Sequence, residues 1–197
     1  MDGTVNRLAI LLCGGMLAAC VGTTPDTAAT RSGLANAAPS APMLVDRFLG
    51  ALAVKDPDAL HRLRVTEAEY REILMPGNVP EGRPLKPPSK ELGDFAWGRL
   101  DTKSHYYEQH LLTQYGGRPL RLKSIAYDKG ERRLANHTVH RQLRLVLDDE
   151  ATGAEVELGT GSIVEVAGAF KFAFVTSRWD RQLFGRERTI SFSLFCG

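Results

Sequence analysis

Five histidines are the residues best suited to do chemistry in this chain, and their spacing keeps them from sharing a metal ion. His137 and His140 stand three apart in a stretch whose alternation predicts a strand, so they face opposite sides of it. His105 and His110, five apart in a predicted helix, lie about 140° apart around its axis. His61 stands alone. No cluster of cysteines or carboxylates completes a ligand set, so neither a metal nor another cofactor is expected. Nucleophilic chemistry has no better footing: there is no Gly-x-Ser-x-Gly turn, and Cys196 sits at the chain end, a poor place to assemble a base and oxyanion donors. Gly159-Thr160-Gly161 lies inside a predicted strand without the following helix that a phosphate loop needs, and its glycines suit a sharp bend instead.

One constellation does suggest a ligand. Arg141 takes an inward position in its predicted strand, and the hairpin register puts it opposite Thr160 or Ser162, with Phe174 near Ser162 in the next strand. Arg141, Thr160, Ser162 and Phe174 could together line a pocket for an anionic or polar ligand, since guanidinium suits carboxylate or phosphate. An Arg at the sheet's rim, reaching water and paired with a carboxylate, fits the same pattern. Trp97, Tyr106 and Tyr107 could stack on a ligand, or work with an Asp in acid–base chemistry, but they equally suit a core under a sheet. No residue is assigned a catalytic role. Arg178, Arg181, Arg186 and Arg188 around Trp179 suit a solvated loop or contact with anionic head groups.

Periodicity supplies the elements that hold these residues. Leu44, Val45, Phe48, Leu49, Leu52 and Ala53 share one helical face. Asp56-Pro57 predicts the cap and first position of a second helix, and Thr66 to Glu69 is a capping-box pattern ahead of Tyr70, Ile73 and Leu74. Residues 75–88 hold five of the ten prolines and read as a loop. Ser89 then caps a long helix with the stripe Leu92, Ala96, Leu100, Lys103, Tyr107 and Leu111, stopping at Gly116-Gly117, with a kink at Gly98 or a break near Asp101-Thr102 expected. Strands follow over 119–127, with a slip near Ser124, over 139–147, and over Val156 to Val166 and Phe170 to Phe174. Hairpins at Asp149 to Gly153 and at Ala167-Gly168-Ala169 link the last three. A last short strand is predicted at 189–195. The expected class is α+β: N-terminal helices, the longest last, then antiparallel strands, one domain over 43–197. Lys and Arg number 25 against 23 Asp and Glu, a near balance that gives no electrostatic case for nucleic acid.

Arg7 precedes an apolar run, Leu8 to Ala19, too short for the roughly 20 residues a spanning helix needs. It closes on Leu17-Ala18-Ala19-Cys20, which resembles the bacterial lipobox, where the cysteine thiol is diacylated and the freed amine usually acylated. The resemblance implies a signal peptide over residues 1–19, a lipidated Cys20 as the membrane partner, and a place in the bacterial cell envelope. With Val21 rather than Asp after the cysteine, it implies the periplasmic face of the outer membrane in a two-membrane host. Small and polar residues with three prolines make 20–42 a flexible tether. With Cys13 removed and Cys20 acylated, Cys196 has no disulfide partner in the chain.

Helices first, the longest last, then a meander with glycines inside its strands is similar to the cone-shaped α+β fold of the nuclear transport factor 2-like superfamily. Gly161-Ser162-Ile163-Val164-Glu165 and Gly168-Ala169-Phe170-Lys171-Phe172 are similar to the hairpin in which many of those domains end. The resemblance implies a long helix packed on a curved antiparallel sheet of four to five strands, although the proline-rich segment stands where that fold often has a strand. The expected function is a membrane-anchored binding or scaffold module without catalysis, meeting an envelope protein or a small ligand. The alternatives are an envelope enzyme of isomerase or hydrolase type, or a small-ligand or lipid carrier whose cavity Phe170, Phe172 and Phe174 would line.

Overall fold

Residues 33–174 are described by the computed structural model, and the chain is packed from its first described residues. Leu34, Ala37 and Ala38 are buried, and Ala38 exchanges two backbone hydrogen bonds with Phe170, of 2.9 and 2.8 Å. This corrects the expected boundary: the stretch read as tether, 20–42, is already part of the domain from Leu34. Small residues look disordered in sequence, yet here they fit an apolar slot. The lipobox-like Leu17-Ala18-Ala19-Cys20, Cys196, the basic stretch Arg178 to Arg188 and the predicted strand 189–195 lie outside the described residues.

The helices start where side chains cap them. Ser40 opens α1 (Ala41–Ala53), whose buried face carries Leu44, Val45, Phe48, Leu49 and Leu52. Asp56 caps α2 (Pro57–Arg62) by accepting from the Ala59 N–H at 2.8 Å. Thr66 and Glu69 form the reciprocal box that starts α3 (Glu67–Glu69). The same rod continues through a π-helical turn, Tyr70–Leu74, into α4 (Met75–Gly77). Ser89 caps α5 (Lys90–Tyr115), which runs 26 residues without a break. The break expected near Asp101-Thr102 is absent; Gly98 is exposed and has open space around it. The buried line of α5 also differs from the predicted stripe. It runs through Gly93, Ser104, Tyr107, Glu108 and Leu111, because this face meets the buried guanidinium of Arg64 as well as apolar side chains.

Among the described residues seven strands stand where four to five were expected: β1 (Leu120–Tyr127), β2 (Glu131–Arg133), β3 (Thr138–His140), β4 (Leu143–Asp149), β5 (Ala154–Gly159), β6 (Ser162–Val166) and β7 (Ala169–Phe174). They form two antiparallel sheets, in the orders β1-β4-β5 and β2-β3-β6-β7. The single strand predicted over 139–147 is split between them at Arg141-Gln142, where Gln142 adopts φ 54°. Opposite this break the chain bends at Thr160-Gly161, and both residues hydrogen-bond Leu143, tying the two sheets together. The slip near Ser124 is present as an irregular register between Leu122 and Ser124.

The main core lies between α1, α2, the C-terminal half of α5 and the inner faces of both sheets. Phe48 and Phe172 meet there with ring centroids 5.3 Å apart. A second core, with Leu34, Val65, Leu74, Val164, Val166 and Ala169, covers the opposite face of the four-stranded sheet. The outer face of the three-stranded sheet is charged and cross-paired, as in Arg121 to Asp148 at 2.7 Å and Lys123 to Glu155 at 2.6 Å.

Candidate functional site

At one end of the four-stranded sheet three connections converge. The β6–β7 hairpin turns on Ala167 and Gly168, both left-handed at φ 49° and 80°, as a tight two-residue turn requires. The β2–β3 connection closes through Leu134 N–H to the His137 carbonyl at 2.9 Å, and Ala135 N–H reaches the Val79 carbonyl of the proline-rich segment at 3.0 Å. Asn136 fastens this connection to the helical rod by donating Nδ2 to the Ile73 carbonyl at 2.9 Å. Gly77 makes that approach possible, since a Cβ there would fall 1.6 Å from Asn136 Oδ1.

These elements enclose an open cleft of about 200 Å³, lined by Glu81, Arg133, Asn136, His137, Thr138 and Glu165 beside the hairpin turn. Arg133, Thr138 and Glu165 are successive cross-strand partners, so one row of the sheet presents all three. His137 is only 7% exposed, and its Nδ1 stands 2.7 Å from Asn136 Oδ1. Because Asn136 spends its Nδ2 on Ile73, its Oδ1 is the acceptor and His137 Nδ1 carries the proton. Burial, with Arg132 adding to it, pushes the imidazole pKa down to about 4. His137 is therefore neutral at ordinary pH, with Nε2 as a free lone pair.

Glu165 connects the cleft to a second histidine. Its Oε2 lies 3.0 Å from His140 Nε2, while Glu131 Oε1 lies 3.0 Å from His140 Nδ1 without the alignment of a hydrogen bond. Tyr127 and Phe170 flank the His140 ring, with centroids at 5.0 and 5.9 Å. Burial first, then the charges of Glu131 and Glu165, raise the Tyr127 phenol above its usual range.

The residues expected to line a pocket meet only in part. Arg141, Thr160 and Ser162 do gather at the bend between the sheets, and Ser162 pairs with Phe174 in register. Arg141, however, turns its Nη2 to the Lys129 carbonyl at 2.6 Å rather than to the hydroxyls, because the backbone break at Gln142 takes it out of strand parity. Ser162 Oγ accepts from the Gln142 N–H at 3.4 Å, and Thr160 Oγ1 is buried without a hydrogen-bond partner. Arg141, Thr160 and Ser162 do not line the cleft just described. Phe172 is buried against Phe48 in the main core, and Phe170 is occupied by His140. Trp97 packs on Tyr70 with centroids 5.6 Å apart, Tyr107 is core, and Tyr106 is half exposed.

Two further charged clusters are structural ties. Lys171 is fully buried, with Nζ 3.0 and 2.9 Å from the two oxygens of Glu69, which also accept from Ala35 and Thr66 N–H groups. Arg64 bridges Glu108 at 3.0 Å and Asp101 at 2.6 Å, joining the end of α2 to α5. Burial raises the Glu108 carboxyl despite Arg64 beside it. His61 reaches only the edge of that cluster, 4.0 Å from Glu108. Among the described residues no group of three or more His, Cys, Asp or Glu side chains could hold a metal ion.

The sequence weighed His137 only as a strand partner of His140; it lies instead in the connection before β3 (Thr138–His140). The adjacent Asn136 was the available signal: an amide beside a histidine can fix its tautomer. No protein-family model, curated protein or solved structure matches this chain.

Proposed function

We propose that this chain is a bacterial envelope lipoprotein, held by acyl chains on Cys20, whose folded domain is a binding module using the cleft at the end of the four-stranded sheet. The anchor rests on the lipobox-like Leu17-Ala18-Ala19-Cys20 behind its apolar run, and on a domain that begins about a dozen residues later. No described helix is long and apolar enough to cross a membrane. In a two-membrane host Val21 directs the protein to the periplasmic face of the outer membrane. Kinship with the nuclear transport factor 2-like cone is part of the same reading, supported by helices leading into a bent antiparallel meander.

The single observation that carries the binding role is His137: a buried, neutral, tautomer-fixed imidazole at the wall of an open polar cleft. A histidine that served packing alone would not need a cleft beside it, and the apolar cores lie elsewhere. The anchor is tested by intact-mass spectrometry of the membrane-fraction protein from its host, beside Cys20→Ala. Cleavage before Cys20 with added acyl mass is the expected result. An unacylated product cut elsewhere would remove the anchor and make a secreted binder the better description.

A further inference from the structure

We propose that His140 is a proton-operated clasp on the edge of the four-stranded sheet. With both ring nitrogens protonated it holds Glu131 and Glu165 at once; with one proton it keeps Glu165 and releases Glu131, loosening β2. The clasp does not depend on what enters the cleft.

Both nitrogens of the ring face carboxylate. Glu165 Oε2 lies 3.0 Å from Nε2, and Glu131 Oε1 lies 3.0 Å from Nδ1. A carboxylate offers only lone pairs, so each contact attracts where the nitrogen carries a proton and repels where it carries a lone pair. The neutral ring has one proton and satisfies one of the two; the imidazolium satisfies both. There is little room for the ring to turn: it is buried, and the rings of Tyr127 from β1 and Phe170 from β7 have their centroids 5.0 and 5.9 Å from its own.

The two contacts differ, and the difference names the one that yields. Nε2 and Glu165 meet in the alignment of a hydrogen bond, whereas Nδ1 is not lined up with Glu131, whose side chain is half exposed. When Nδ1 gives its proton to water, the ring keeps its Nε2 proton on Glu165, and the lone pair left on Nδ1 faces the charge of Glu131. Glu131 then turns out to solvent. It stands directly opposite His140 in register, on a strand of three exposed residues at the end of the sheet. The other side chains of that strand, Arg132 and Arg133, form no ion pair among the described residues, so beyond its backbone ladder β2 leans on Glu131. Arg133 also lines the cleft, and this wall of it loosens with the strand.

The mature chain, purified in detergent and labelled with nitrogen-15, reports both ends of the clasp. Spectra of the imidazole nitrogens count the protons on His140. Hydrogen–deuterium exchange, expressed as protection relative to a free peptide, reads the ladder at Arg132 and Val139, which pair across β2 and β3. Over the pH range in which the domain is folded, protection at Arg132 should fall about tenfold in step with loss of the Nδ1 proton, the worth of one charge-assisted hydrogen bond. Leu145 and Leu158, paired in the other sheet, should keep theirs. Two neighbours are told apart by their own resonances: Tyr127, whose phenol is held above its usual range, and His137, whose ring gains charge only near pH 4. His140→Gln, which cannot titrate, should abolish the step. So should Glu131→Gln, a change at a half-exposed position whose amide meets a proton or a lone pair alike, and which serves where the His140 variant does not fold. An unchanging proton count on the His140 ring, loss of the Nδ1 proton with flat protection at Arg132, or a step that survives in either variant would overturn the proposal.

Discussion

Burial acts on Lys171 and His137 in opposite ways. Lys171 keeps its charge because Glu69 is within 3.0 Å, although desolvation pulls its pKa down. Lys171→Met should therefore cost about 3–5 kcal/mol, since it strands the Glu69 carboxylate in the second core, and the double change with Glu69→Gln should recover part of that. Urea unfolding of the three variants measures both. His137 instead gives up its charge. Its pKa is about 4 in the fold against 6.5 in the unfolded chain, so between those values the unfolded chain binds the extra proton. Its contribution to stability is thus complete above about pH 6.5 and is lost progressively as pH falls to about 4, on the order of 3 kcal/mol in all. His137→Gln should flatten this part of the stability profile, measured by urea midpoints at about pH 7 and about pH 5.

Helix starts were legible because capping is local chemistry: Asp56, Thr66 with Glu69, and Ser89 do in the fold what their spacing announces. So were the Ala167-Gly168 turn and the slip near Ser124, each a matter of neighbouring residues. The register of α5 was not, because Ser104 and Glu108 are buried, Glu108 to meet Arg64 some forty positions away, and a polar inward face breaks the apolar stripe. The break at Gln142 was hidden for a similar reason: a non-glycine left-handed residue is imposed by the bend of two sheets. The cleft left no local signature, as its walls come from positions 81, 133–138 and 165–168. Within α5, Gly98 has open space around it, so Gly98→Ala should stabilise the protein by about 1 kcal/mol, read as a raised thermal midpoint.

At the scale of the molecule, the two cores share the four-stranded sheet as a common wall: Ile163 and Phe172 face one, Val164 and Ala169 the other. Neither can lose its packing without exposing the back of the other. Unfolding should therefore be a single transition, with tryptophan fluorescence, to which Trp97 at the rod contributes, and far-ultraviolet circular dichroism giving the same midpoint. The strap from Leu34 to Ala38 has a mechanical consequence. Any pull arriving from upstream of Gly33 is taken up by the Ala35 bond to Glu69 and by the two bonds between Ala38 and Phe170. Glu69 is itself held by Lys171, so the load is handed to two adjacent residues of one strand, β7, and bypasses α1. Peeling the strap away would draw Leu34 and Ala37 out of the second core and Ala38 out of the main one, so a pull at this end of the domain is felt in both at once.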